Sequence, residues 1–199
     1  MLRAEGLTKR FGGITAVDNV DFELGSDELV SLIGPNGAGK TTFFNLLTGA
    51  LQPTEGTITF DGEEITNATP EETASLGIHR SFQITNIFPN ATVLENVRVA
   101  AQAHSNKSWH LWRNFEAYDE FLEESHQILE RVGLAEDAHI PAQNLSHGEK
   151  RRLEVGIALA GDPDVLLLDE PNAGVSTESV GQVVNLIEDV AKDHAVLLV

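Results

Sequence analysis

Cysteine is absent from this 199-residue chain. That removes disulfide frameworks, thiolate metal sites and cysteine nucleophiles from the available chemistry. Positive charge is scarce too: 13 lysines and arginines face 31 aspartates and glutamates, a formal net charge of −18. Phosphate backbones are gripped by basic surface, so a general nucleic-acid binder is disfavoured. No apolar run approaches the roughly 20 residues that cross a bilayer. The start, Met1-Leu2-Arg3-Ala4-Glu5-Gly6, lacks the apolar stretch of a secretory signal. The expectation is a soluble chain that, if it serves a membrane, does so from outside the lipid.

What is present is enough for a folded core. Hydrophobic residues make up 41% of the chain, which argues against disorder and allows one or two domains. Lysine occurs only at Lys9, Lys40, Lys107, Lys150 and Lys192, while acids are spread throughout. An acidic surface of this kind stays hydrated at high ionic strength, where repulsion is screened within a few ångströms. Adaptation to salt is the favoured reading, and an ordinary acidic cytosolic protein is the other.

Short apolar runs at 29–33, 57–60, 165–168 and 195–199 read as strands, and 41–48, 146–160 and 178–192 as helices. The runs at 165 and 195 are nearly all apolar, as in strands covered on both faces. The alternation predicts an α/β core with a mainly parallel sheet. Between Val93 and His139 no strand is evident, and Phe115, Tyr118, Leu122, Leu129 and Val132 recur at helical spacing. This predicts a helical subdomain over 89–141 inserted into a core formed by 1–88 and 142–199, with Phe88-Pro89 and Pro141 at the junctions. One undivided domain is the alternative.

Gly34-Pro35-Asn36-Gly37-Ala38-Gly39-Lys40-Thr41, with Thr42 following, fits G-x-x-x-x-G-K-[ST] between a strand and a helix. Glycines let the backbone wrap a polyphosphate with its N–H groups inward. The helix adds the positive end of its dipole. Lys40 supplies a point charge to the outer phosphates, and Thr41 a hydroxyl to Mg²⁺. Val165-Leu166-Leu167-Leu168-Asp169-Glu170 ends an apolar strand in two carboxylates. From there Asp169 can reach the Mg²⁺ shell, and Glu170 can polarise a water for attack on the terminal phosphate.

Between these motifs lies Leu145-Ser146-His147-Gly148-Glu149-Lys150-Arg151-Arg152-Leu153, with capping-box spacing from Ser146 to Glu149. It resembles the signature turn of ATP-binding-cassette (ABC) ATPases. That resemblance implies a P-loop NTPase core, ATP and Mg²⁺ as cofactors, and hydrolysis coupled to transport. It also implies further roles. Phe11 looks like the aromatic that stacks on adenine, and Gln83 like the glutamine that meets Mg²⁺ and the attacking water. Pro171-Asn172-Ala173-Gly174-Val175-Ser176 takes the place of a loop that crosses a dimer interface. Ser146, His147, Gly148 and Glu149 of one chain would face ATP held by the Lys40 of a second cassette, identical or not. The remaining implied partners are a transmembrane permease and, indirectly, an external solute-binding protein, with the chain peripheral on the inner membrane face.

Narrower stretches resemble the ATPase subunits of branched-chain amino acid importers: 78–83, 92–97, 151–155 and 169–175. His147 departs from the usual signature glycine, Glu149 from a common glutamine, and Ser176 from a common aspartate. The chain stops on Ala195-Val196-Leu197-Leu198-Val199, before the histidine that the family places next. Truncation is therefore expected, with hydrolysis impaired and nucleotide binding retained. The rival readings are a soluble cassette ATPase without a permease and a binding-only module.

Other residues carry weaker signals. His79, His104, His110, His126, His139, His147 and His194 form no trusted metal-ligand spacing. Trp109, Leu111, Trp112 and Phe115 read either as core or as a surface that receives a permease helix. Lys150, Arg151 and Arg152 read as a solvated helix face.

Overall fold

The structure, a computed structural model, describes residues 1–81, 87–104, 115–171 and 177–199. Gln83, Trp109, Leu111, Trp112 and the 172–176 loop lie outside the described residues. The chain falls into two compact units.

The first unit comprises Met1–Arg80, Asp164–Asp169 and Ala191–Val199. It opens with a hairpin of β1 (Leu2–Phe11) and β2 (Ile14–Leu24), joined at Gly12-Gly13. Then come β3 (Leu29–Ser31), α1 (Lys40–Leu47), β4 (Glu55–Phe60), β5 (Glu63–Glu64), α2 (Pro70–Ser75) and β6 (Ile78–Ser81). The chain returns later as β7 (Val165–Leu168) and β8 (Ala195–Leu198). The strands make two four-stranded sheets, in the orders β2-β1-β4-β5 and β3-β8-β7-β6. The pairings β3–β8 and β7–β8 are parallel, as the apolar runs predict.

The antiparallel sheet adds to the sequence expectation. Its first strand hides because alternation of buried and exposed residues breaks around Gly6, where register shifts between Ala4 and Leu7. A shift of one residue sends every later side chain to the other face, which erases a simple period of two. A second difference is at β3, which ends at Ser31 instead of Ile33. Leu32 still donates to Leu198 O at 2.8 Å, but Ile33 is 89% exposed. α1 buries Phe43, Phe44, Leu46 and Leu47, and Phe43 meets Phe22 of β2 edge-on at 5.3 Å. At about 1.5–3 kcal/mol per buried large side chain, this anchors the helix that follows the lysine loop.

The second unit comprises Ser81–Pro163 and Glu170–Val190. It contains α3 (Val93–His104), α4 (Phe115–Arg131), α5 (His147–Leu159) and α6 (Thr177–Val190). It is thus wider than the 89–141 insertion, because it takes in α5 and α6. Among the described side chains of α4 the buried ones are Phe121, Ser125 and Leu129, continued by Val132, with Leu122 half-buried; the side chains of Phe115 and Tyr118 lie outside those described. The basic run is not simply a solvated face. Arg151 pairs with Glu154 at 2.7 Å, and Arg152 donates to Val132 O and Gly133 O at the end of α4. Among the described residues no helix is long and apolar enough to cross a membrane.

Candidate functional site

In the first unit the lysine loop runs from the end of β3 into α1 with Gly39 at the N-cap. Gly39 has φ +86°, and a Cβ there would sit 2.1 Å from the carbonyl oxygen of Ala16. Only glycine fits both conditions. No side chain caps α1, and its first turn carries no acid. Its leading N–H groups therefore remain available, as an anion site requires. The Lys40 ammonium folds back over the loop, donating to Gly34 O at 2.7 Å and Pro35 O at 3.1 Å. An arriving phosphate would exchange with these carbonyls for a charged partner. Pro35, Asn36, Gly37, Ala38 and Thr41 are exposed, and Thr42 is half-buried. A cleft of about 440 Å³ adjoins the loop, lined among others by Val17, Phe22, Ile33 and Lys40.

Phe11 stands at the end of β1 beside the hairpin turn, about half exposed, with the Lys9 ammonium 5.3 Å from its ring centroid. Lys9 is an addition to the sequence reading: it covers a face of the ring assigned to a base.

Asp169 and Glu170 part company. Asp169 closes the fully buried β7 and is 1% exposed, whereas Glu170 is exposed. The backbone turns between them, for Glu170 has φ +48°, a region that non-glycine residues seldom enter. Asp169 Oδ2 accepts from Arg80 Nη2 at 2.5 Å, while Oδ1 is buried without a hydrogen-bond partner among the described residues. A buried, unsatisfied acceptor costs about 1–3 kcal/mol. A divalent cation would relieve that cost, so the orphaned oxygen fits Mg²⁺. The donor set agrees. Mg²⁺ is held by one or two carboxylates plus phosphates, and the exposed Thr41 can add its hydroxyl. Among the described residues no group of three or more His, Cys, Asp or Glu could hold a metal by itself. Arg80 and its second acceptor, Asn45, were missed from the sequence. The available signal was a basic residue in an acid-rich chain, three residues before Gln83.

In the second unit α5 begins at a full capping box. Ser146 Oγ accepts from Glu149 N at 3.3 Å, and Glu149 Oε2 accepts from Ser146 N at 2.7 Å. Hydrogen bonds from Ser146, side chain before backbone, hold the Glu149 carboxyl below its ordinary value. His147 is exposed, so it does not crowd the turn, and Gly148 is buried.

Residues 17–173 match the family model described as ABC transporter. The chain belongs to the ABC transporter family. It is 40% identical to the high-affinity branched-chain amino acid transport ATP-binding protein LivG of Salmonella typhimurium, over 98% of this chain and 78% of that protein. Its fold is similar to an ATP-binding cassette of an ABC transporter in its ADP conformation. There the TM-score is 0.84 and identity 30%, covering 99% of this chain and 79% of that one. A dimeric post-hydrolysis cassette bound to ADP and Pi is similar as well, with TM-score 0.80 and 26% identity over 100% of this chain and 87% of that one. The chain is thus an ABC-type ATPase cassette.

Proposed function

We propose that this cassette is the ATP-hydrolysing subunit of an importer for branched-chain amino acids or a similar small polar solute. The observation that carries the reading is the uncapped start of α1 beside Lys40, in a chain that also ends a buried strand with Asp169. The likeness to LivG supports the substrate class.

In this reading Phe11 stacks on adenine, and the amides of 34–42 together with Lys40 receive the phosphates. Glu170 polarises the attacking water, helped by Gln83. Thr41, Gln83 and Asp169 hold Mg²⁺, which when bound neutralises phosphate charge. Ser146, His147, Gly148 and Glu149 of a second cassette close over the nucleotide, and the dimeric relative supports such a pairing. ATP can drive opening and closing only by its preference for the closed dimer. That cycle would energise a membrane permease fed by an external solute-binding protein, with the cassette peripheral on the inner face.

A fluorescent-ATP titration of wild type against Lys40→Ala tests the reading. Losing a charged hydrogen-bond donor to phosphate is worth about 2–3 kcal/mol, so affinity should fall roughly 30- to 150-fold. Equal affinities would overturn the proposed role of the loop. Because the net charge of −18 supports a salt-adapted chain, the titration runs from dilute buffer to molar salt.

A further inference from the structure

Arg80 lies on β6, the neighbour of β7 in the parallel sheet, and its guanidinium is engaged on several sides. Nη2 donates to Asp169 Oδ2, and Nη1 to Asn45 Oδ1 on α1, each at 2.5 Å. The cation also lies 5.6 Å from the ring centroid of Phe44. Its side chain is only 12% exposed, against 1% for Asp169. Three elements therefore converge on one planar group: β6, β7 and α1.

The clamp is asymmetric. One Asp169 oxygen is taken, while Oδ1 stays buried and unpartnered. A carboxylate at a strand end is free to rotate about its last bond and to present either oxygen, or both. Nη2 holds Oδ2 while Asn45 holds the other arm of the guanidinium, so turning the carboxylate would break a charge-assisted bond, and Oδ1 is the oxygen left for a ligand. Arg80 also ties that oxygen to α1. Asn45 follows Thr41 by four residues, so the two share one face of the helix. The strut from Asn45 through Arg80 to Asp169 thus sets the carboxylate in register with the helix face that carries the Thr41 hydroxyl.

We infer that Arg80 is a positioning residue for the divalent metal: it presents Asp169 as a one-oxygen ligand aligned with Thr41. This rests on the nucleotide reading above and extends it to a residue outside the phosphate loop. It separates two quantities that loss of fold would move together. Metal-free nucleotide binding depends on the lysine loop, whereas the gain on adding metal depends on the oriented carboxylate.

The test is a fluorescent-ATP titration of the full chain, in EDTA and then in Mg²⁺. Mn²⁺ replaces Mg²⁺ in a parallel series read by electron paramagnetic resonance. Wild type is compared with Arg80→Met, Arg80→Lys and Asn45→Ala, each checked for native circular dichroism. In EDTA all four should agree within about twofold. Arg80→Met should lose about tenfold of the metal-dependent gain, since groups that orient a metal ligand are worth about 10- to 100-fold in affinity. Lysine reaches one acceptor but not both, so Arg80→Lys should recover part of the gain. Asn45→Ala removes one strut and should lose about threefold, well short of the loss when a metal-ligand orienter goes. A folded Arg80→Met that keeps the full gain overturns the proposal, as does an equal loss in EDTA and in metal. Should Arg80→Met fail to fold, the graded pair Arg80→Lys and Asn45→Ala decides, and unchanged gains in both overturn it. If wild type binds no nucleotide in either buffer, the functional reading itself fails, and this inference with it.

Discussion

Two helix starts in this chain are built in opposite ways. α1 begins at a glycine with no capping side chain and no acid in its first turn. α5 begins at a serine whose hydroxyl and backbone are both bonded to Glu149. The first leaves donors open beside a lysine. The second satisfies its own donors and adds a negative charge where an anion would dock. The contrast shows that two glycine-containing turns, similar in a sequence scan, are suited to different tasks. One leaves its leading donors open to an anion, and the other has already satisfied its own.

The contrast can be broken at α1 first. Gly39→Ala places a Cβ 2.1 Å from Ala16 O at φ +86°, so it should cost about 2–3 kcal/mol in denaturant unfolding and abolish nucleotide binding with it. Full stability in that variant would show the loop to be plastic. A middle-sized effect is expected at the other helix. Ser146→Ala removes the α5 cap and should cost about 1 kcal/mol of stability by urea melt, with single-chain nucleotide affinity unchanged. A loss of single-chain affinity would mean that the two helix starts are not separate in function.

The smallest effect sharpens the comparison most. Glu149→Gln keeps the capping box but removes its charge, so ATP-induced dimerisation should strengthen about two- to fivefold by analytical ultracentrifugation. The same variant has a pH signature. A folded-state pKa below the usual 4.5 means that this carboxyl contributes stability in full above about pH 4.5 and loses it as pH falls through the depressed value. Glu149→Gln should therefore be less acid-sensitive than wild type in that window. Identical acid limbs would show that the ionised Glu149 carboxylate contributes nothing measurable to stability.

The lysine loop, the acidic strand and the α5 turn were legible because each depends on neighbours in sequence: Gly39 on Lys40, Asp169 on the apolar run before it, Glu149 on Ser146. β1 and β2 were not, since the irregular register around Gly6 hides their alternation. The contacts of Arg80 were hidden for a different reason. Its partners are 35 and 89 residues away, and no local pattern encodes a contact of that separation. The left-handed turn at Glu170 was equally silent, because glutamate gives no hint of positive φ. On α4 the helical spacing picked out Leu129 and Val132, which are buried, and the half-buried Leu122, but passed over the buried Phe121. Two adjacent apolar residues on a helix flank the same stripe, and only packing chooses between them.

The bonds from Arg152 to the carbonyls of Val132 and Gly133 have a mechanical consequence. Nearby, Gly156 has no side chain, and a Cβ there would stand only 3.4 Å from Ile128 and Val132, so α5 and the end of α4 are also pressed close at this point. Clipped and closely packed at the same place, the end of α4 cannot draw away from α5 without breaking those bonds and opening a gap beside Gly156.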